Sequence, residues 1–353
     1  MTGLEIFLEA GVKVIVAFAL LLNITILVIW FERKVVADMQ NRIGPNRAGP
    51  YGMLQTVADG LKLLFKENVT PHKVEFALYI AAPVVALLPA LLIFLVIPIG
   101  RPFTLGDRVI DLAGTDLNVA VLYVLALSSL AVYAVVLAGW ASGSKYPLLG
   151  AVRASAQMIS YEAAMGLALV PVILFTGTTS MQGMVAAQGG DILGFLGPWN
   201  AVLLPSFVIF FVAGIAETNR APFDLVEAES ELVGGYHTEY SGFRFALFYL
   251  AEYINMFNIS ALTVTIFLGG WIGPDFGLGQ PFTWILPLFW FFAKTTALIF
   301  VFVWIRATLP RMRYDQLMSF GWKRLIPVTL GWVVLVTIAI AMRRFPPSWL
   351  PWA

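Results

Sequence analysis

Apolar residues in this chain gather in runs too long for the core elements of a soluble domain. Eight such runs lie at roughly 12–31, 76–99, 117–138, 155–176, 201–216, 244–268, 283–305 and 325–342. A helix that crosses a bilayer needs about 20 largely apolar residues. The fifth run is short, and the fourth opens among small polar residues. In lipid, backbone groups must bond within their own segment, so runs of this length predict helices rather than strands. The expected fold is all-α: a single polytopic membrane domain over 1–353, with about eight transmembrane helices, an interfacial amphipathic helix and large cytoplasmic loops.

Composition agrees with this pattern. Hydrophobic residues make up 59% of the chain and charged residues 12%, with a mean hydropathy of +0.84. A soluble domain carries about 25% charged residues. Glu5 and Glu9 flank the first run, where a signal peptide would carry basic residues, so a retained span is expected there. A net charge of +1 gives no case for nucleic acid. The chain has no cysteine, and its two histidines, His72 and His237, fall in loops. Iron–sulfur clusters need thiolates, and haem usually needs an axial histidine, cysteine or methionine. No electron carrier is expected in this chain. Electrons for any redox chemistry must come from another subunit.

Eight spans put both termini on one side. The loops after spans one, three, five and seven, with their flanks, hold 16 of the 22 Lys and Arg. Cytoplasmic loops carry the excess of Lys and Arg, so these four loops are expected inside and both termini outside. The distinctive sequence is all in the inner loops.

The first inner loop, 32–75, contains "NRIGPNRAGP", the pattern N-R-x-G-P written twice. Its glycines and prolines favour tight turns with fixed φ. The doubled unit would hold Arg42 and Arg47 at fixed offsets. Anchoring to anionic headgroups accounts for the charge but not for the stiffness. Arginine on a pre-ordered loop suits bidentate pairing with carboxylates, which points to a docking surface for acids of this chain or of a partner. The following stretch, 52–66, places Met53, Leu54, Val57, Leu61, Leu64 and Phe65 at helical spacing, opposite Gln55, Asp59, Lys62 and Lys66. Too short and too polar to span, it is expected to lie in the membrane interface. It is either a plain surface helix or the frame of a lateral opening for a lipid-soluble substrate.

The inner loop 217–243 is acidic. It holds Glu217, Asp224, Glu227, Glu229, Glu231 and Glu239, and from Glu217 to Glu239 only Arg220 opposes them. Clustered carboxylates repel, so some are expected to hold protons near neutral pH. Glu162, Glu252 and Lys294 fall within apolar runs, where each costs roughly 2.5–3.5 kcal/mol at a helix centre. Such residues face a bundle interior. A structural Lys–Glu pair is one use for Lys294, and a proton path through carboxylates at graded depth is the other. The last inner loop, 306–324, carries Arg306, Arg311, Arg313, Lys323 and Arg324 beside Asp315, which suits anchoring and docking to a partner.

Three stretches, "ERKVVADMQNRIGPNRAGPYG", "AETNRAPFDLVEAESELVGGYHTEYSG" and "WIRATLPRMRYDQLM", resemble the NuoH-type membrane subunit of respiratory complex I, the proton-pumping NADH:quinone oxidoreductase. The resemblance covers essentially the whole chain, and the acidic stretch is highly specific. It is weaker toward membrane subunits of energy-converting hydrogenases.

The resemblance implies an eight-span subunit that meets a hydrophilic arm and forms much of a quinone tunnel. Quinone is the implied substrate. NADH, FMN and iron–sulfur clusters are implied in partner subunits, and no cofactor or metal in this chain. It also implies a bacterial inner (plasma) membrane with both termini on the periplasmic side. Arg33 and Asp59, with Glu32 nearby and Phe223 on the inner wall, are implied to line the tunnel. Glu162, Glu217 and Glu252 are implied to line a polar funnel toward the membrane arm, and Glu227, Glu229 and Glu231 to sit on a loop that responds to quinone chemistry. Asp224 and Lys294 join these as coupling candidates, and Arg42, Arg47, Arg306, Arg311 and Arg313 are docking candidates. The third span lacks a carboxylate beyond Asp116 at its edge, so the funnel is not extended into it. Two rival readings are an independent secondary transporter and a passive assembly anchor. No repeated half with paired broken spans, common in transporters, is visible.

Overall fold

The computed structural model describes residues 3–105, 108–110, 112–189, 203–224, 233–274 and 282–344. Seven helices in it are long and apolar enough to cross a membrane. The first is α1 (Gly3–Met39), followed by the amphipathic α2 (Gln55–Phe65). Next come α3 (Phe76–Phe94), α4 (Ala120–Ala141), α5 (Lys145–Thr176) and the short α6 (Met181–Ala187). Then follow α7 (Leu204–Glu217), α8 (Gly242–Phe267) and α9 (Phe282–Thr308). The last two are α10 (Tyr314–Phe320) and α11 (Ile326–Arg344), joined through a π turn at Gly321–Leu325.

The expected eighth span is α7. Its 14 residues rise only about 21 Å at 1.5 Å each, short of a hydrocarbon core of about 30 Å. Several boundaries differ from the apolar runs, because polar residues continue helices once a neighbour supports them. α1 runs 37 residues, so Glu32 and Arg33 extend the first span instead of opening a loop. α5 begins at Lys145, ten residues before its apolar run. The basic segment 306–324 is helical over 306–308, as the end of α9, and again from Tyr314 onward. One departure from an all-helical fold is an antiparallel hairpin, β1 (Phe103–Leu105) with β2 (Arg108–Ile110), pairing Phe103 with Ile110.

The bundle is built around α8. The apolar window of α8 is 83% buried, against 17% for that of Tyr314–Met342. α8 packs on α3, α7, α9, α1 and α2, while α5 joins α4, α7 and α11. The main core gathers Phe210, Phe257, Ile254, Met165 and Leu21, all essentially inaccessible. Burial on all sides explains why polar residues of α8 are tolerated, since they find partners inside the protein. Asn258, for example, donates to the Ala90 carbonyl of α3 at 2.7 Å.

α2 keeps the opposite character. No residue of it is buried, and Phe65 is 84% exposed, with Leu61 and Leu54 also exposed. This chain leaves that apolar face uncovered, as an interfacial helix requires.

Candidate functional site

α2 is held at both ends. Near its start, Thr56 Oγ1 donates to the Ile26 carbonyl, and Trp30 Nε1 donates to the Tyr51 carbonyl at 3.0 Å. In its middle, Asp59 Oδ2 pairs with Arg33 Nη1 at 2.6 Å, and Gln55 Nε2 donates to Asp59 Oδ1 at 3.2 Å. Partial burial pushes the Asp59 carboxyl up, but the Arg33 hydrogen bond and charge outweigh it, helped by Gln55 and Lys62. The net position is below the usual carboxylate value. Beyond the helix, Val69 N donates to Ser241 Oγ, Phe243 N to Asn68 Oδ1, and Arg244 Nη1 to Thr70 Oγ1. These bonds stitch the segment after α2 to the start of α8.

Behind α2 lies a buried sequence of alternating charges. Glu32 on α1 is 4% exposed and pairs with Arg306 at the end of α9. The same Glu32 Oε1 lies 3.3 Å from Arg220 Nη1, and Arg220 Nε lies 2.5 Å from Glu252 Oε1 on α8. The Arg220 guanidinium also stacks over the Tyr253 ring at 4.2 Å. A buried ion carries a desolvation penalty of several kcal/mol. Alternating two acids with two arginines offsets it. An open pocket of about 570 Å³ adjoins this ladder, lined by Glu32, Arg33, Gln40, Arg42, Tyr249, Tyr253 and Arg306 among others.

On the other side of Glu252 lie two small chambers, of about 60 and 30 Å³. Each exceeds the ~10–15 Å³ that one water needs. The first is lined by Glu252, Asn219, Tyr236 and His237, the second by Ser128, Asn258 and Met165, and Glu217, Thr218, Asn255 and Met158 belong to both. Glu217 Oε2 is buried without a hydrogen-bond partner among the described residues. Past Ser128 sits Glu162, whose Oε1 accepts from Ser128 Oγ at 3.2 Å and from Ser129 Oγ. The third span, which carries no acid beyond Asp116 at its edge, thus contributes two hydroxyls to the Glu162 carboxylate.

Comparison with known proteins places the chain in a family. The chain matches the NADH dehydrogenase family over residues 12–337. It belongs to that family. It is 51% identical over 341 residues to the H subunit of the NADH-quinone oxidoreductase of Frankia casuarinae, covering 96% of this chain and 74% of the relative. To the corresponding protein of Frankia alni, which carries the same name, it is 50% identical over 342 residues, with the same coverage.

The other residues singled out in this NADH dehydrogenase family member fall into distinct settings. Phe223 is buried with its ring 5.2 Å from Tyr161, and its carbonyl accepts from Gln157 Nε2 at 2.8 Å. Asp224 pairs with Arg311 at 3.1 Å. Arg306 and Arg311, read as docking residues, therefore have their charges engaged within the chain. Arg313 pairs with Asp315 on the exposed surface at 2.9 Å, and Arg42 Nε donates to Gln40 Oε1. Arg47 forms no ion pair among the described residues. Lys294 donates to the carbonyls of Leu268, Gly270 and Ile272 at 2.7, 3.2 and 2.5 Å, capping the end of α8 where the helix dipole favours a cation. Glu227, Glu229 and Glu231 lie outside the described residues.

Four residues escape the sequence pattern. Arg220 is visible there only as a counter-charge to the acidic loop, with no sign that it is shared by Glu32 and Glu252. Ser128 and Ser129 carry no charge to flag them. His237 falls in a loop, yet its ring packs on Tyr236 and Phe245 and lines the first chamber. Burial lowers it to about 4, so it is neutral at neutral pH.

Proposed function

We propose that this protein is the membrane subunit of an NADH–quinone oxidoreductase that forms much of the quinone path and couples quinone reduction to proton movement. The names of its relatives support the enzyme, and the position of Glu217 carries the coupling. A buried carboxylate between two water-sized chambers can exchange a proton with either. Glu252 adjoins it on one side, and Ser128 leads to Glu162 on the other.

In this reading a hydrophobic quinone enters past α2 and its ring approaches the open pocket beside Glu32, Arg33 and Asp59, with Phe223 on the inner wall. Electrons come from partner subunits that hold NADH, FMN and iron–sulfur clusters, because this chain has no cysteine. Reduction creates local negative charge and a demand for protons. Glu252, Glu217 and Glu162 then change proton occupancy in sequence, with Asp224, Glu227, Glu229 and Glu231 on the loop that responds. Lys294 supports α8 rather than carrying protons. Arg42, Arg47 and Arg313 face acidic surfaces of soluble partners. The protein sits in a bacterial inner membrane, and with the short α7 taken as the eighth crossing both termini lie on the periplasmic side, as its basic loops favour.

The test is Glu217→Gln in the assembled complex in sealed vesicles. Quinone reduction and proton uptake are measured together, with an artificial acceptor upstream of quinone as the control for assembly. Both are expected to fall while the control holds. Wild-type rates of both would make Glu217 structural and return the passive-anchor reading.

A further inference from the structure

We propose that Arg220 is a positioning residue shared by Glu32 and Glu252, whose shift between the two links charge in the open pocket to proton occupancy of the chamber. This deepens the coupling reading above and rests on it. Glu32 and Arg306 line the open pocket, Glu252 lines the chamber, and Arg220 lines neither. Arg220 lies against an acid from each space.

The geometry leaves room for two arrangements. Arg220 Nη1 donates to Glu32 at 3.3 Å, longer than the usual charge-assisted contact of about 2.7–2.9 Å. Arg220 Nε lies 2.5 Å from Glu252 Oε1 as an ion pair, but it makes no hydrogen bond there. Arg220 Nε and Nη2 and Glu32 Oε2 are all buried without hydrogen-bond partners among the described residues. Two free donors thus lie between two acids, one of which keeps a free acceptor. Rotation of the guanidinium would align Nε with Glu252 or bring Nη2 toward Glu32. The Tyr253 ring face at 4.2 Å supports the cation through either orientation, since attraction to a ring face does not fix the fork within its plane.

Each acid also has a substitute for Arg220. Glu32 has Arg306, so Arg220 can lean away without leaving that carboxylate unpaired. Glu252 shares its chamber with Glu217, Asn255 and His237 and can take a proton from that space when the guanidinium withdraws. Negative charge arriving in the open pocket draws Arg306 toward itself. Glu32 then takes Arg220, and Glu252 binds a proton. Loss of that charge reverses each step and returns the proton to the chamber. No covalent bond changes, and the only species transferred is the proton.

The experiment is a double-mutant cycle in the assembled complex in sealed vesicles. Glu32→Gln, Glu252→Gln and their combination are compared for quinone-reduction rate and protons taken up per electron. The cycle is repeated on Arg220→Lys, which keeps the cation on a compact head that cannot fork between two acids. Arg220→Gln serves if the lysine variant does not assemble. With native Arg220, the double variant is expected to depart about fivefold or more from the product of the single effects, as coupled groups do. On Arg220→Lys the departure is expected to shrink to within about twofold, the range of independent sites. Independent effects with native Arg220, or the same departure in both backgrounds, would overturn the shared-cation role while leaving the funnel standing. Wild-type rate and proton ratio in Glu252→Gln alone would overturn the funnel and this inference with it.

Discussion

Arg33 near the C-terminal end of α1 and Asp59 in the middle of α2 form a 2.6 Å ion pair that holds the amphipathic helix against the first span. The pair is partly solvated, so it contributes only about 0.2–1 kcal/mol. α2 buries none of its own residues, so polar contacts such as this one help to keep it docked. Asp59→Asn is expected to raise amide exchange over residues 55–65 with little change in the thermal midpoint of the complex. The pH dependence follows from the lowered carboxyl. The contribution is present above the ordinary value of 3.8 and is lost as pH falls through the depressed one. Docking of α2 should therefore not vary with pH near neutrality. Unchanged exchange in Asp59→Asn would mean that the backbone anchors at Tyr51 and Ile26 suffice.

Gly52 closes the doubled N-R-x-G-P loop. Its φ is +77°, and a Cβ there would sit 2.2 Å from the Pro45 carbonyl oxygen. The left-handed conformation alone costs a non-glycine residue about 1–2 kcal/mol, and the backbone contact adds to it. Gly52→Ala is expected to expose residues 40–54 to proteolysis and to weaken assembly with soluble partners. Arg42→Ala with Arg47→Ala should weaken assembly without opening the loop. Equal proteolysis of Gly52→Ala and wild type would show that the loop is not the stiff platform its sequence suggests.

What was legible in the sequence follows from what hydropathy measures. Long apolar runs located every long span, and period-3.6 patterning located α2. Charges stranded in apolar runs pointed to Glu162 and Glu252, because an intramembrane carboxylate costs too much to be incidental. Their assembly was not legible. Glu32, Arg220, Glu252 and Arg306 come from α1, the segment after α7, α8 and α9, and only the packing of α8 brings them together. Lys294 shows the limit of the same logic. Its place mid-span suggested either a structural Lys–Glu pair or a proton site, and neither reading points to its three backbone acceptors, which come from the turn after α8 and which no side-chain pattern records. Ser128 and Ser129 were silent because a hydroxyl in a helix is satisfied by its own backbone, as both also are here through the Leu125 carbonyl.

That setting makes Lys294 a test of structure against transport. Lys294→Met removes a cation from three carbonyls at the end of the most buried helix. Losing a hydrogen bond to a charged group costs about 1.5–3 kcal/mol, so the thermal midpoint and the yield of assembled complex should both fall. Protons taken up per electron in the assembled fraction should match wild type. A reduced ratio with unchanged stability would place Lys294 on the proton path instead.

His237 gives the first chamber a pH signature. Burial against Tyr236 and Phe245 lowers the imidazole from its ordinary 6.5 to about 4. Between those values the unfolded segment binds a proton that the folded one refuses, so stability rises with pH across that window. The contribution is full above about 6.5 and is lost as pH falls toward 4. His237→Asn has no proton to gain and should flatten this slope. Amide exchange over residues 235–245, followed from neutral pH to about 5, is the measurement. Wild type should show loosening on the acid side that the variant lacks, while residues 55–65, held by Asp59, stay protected in both. A slope that survives His237→Asn would show that the imidazole is not its source.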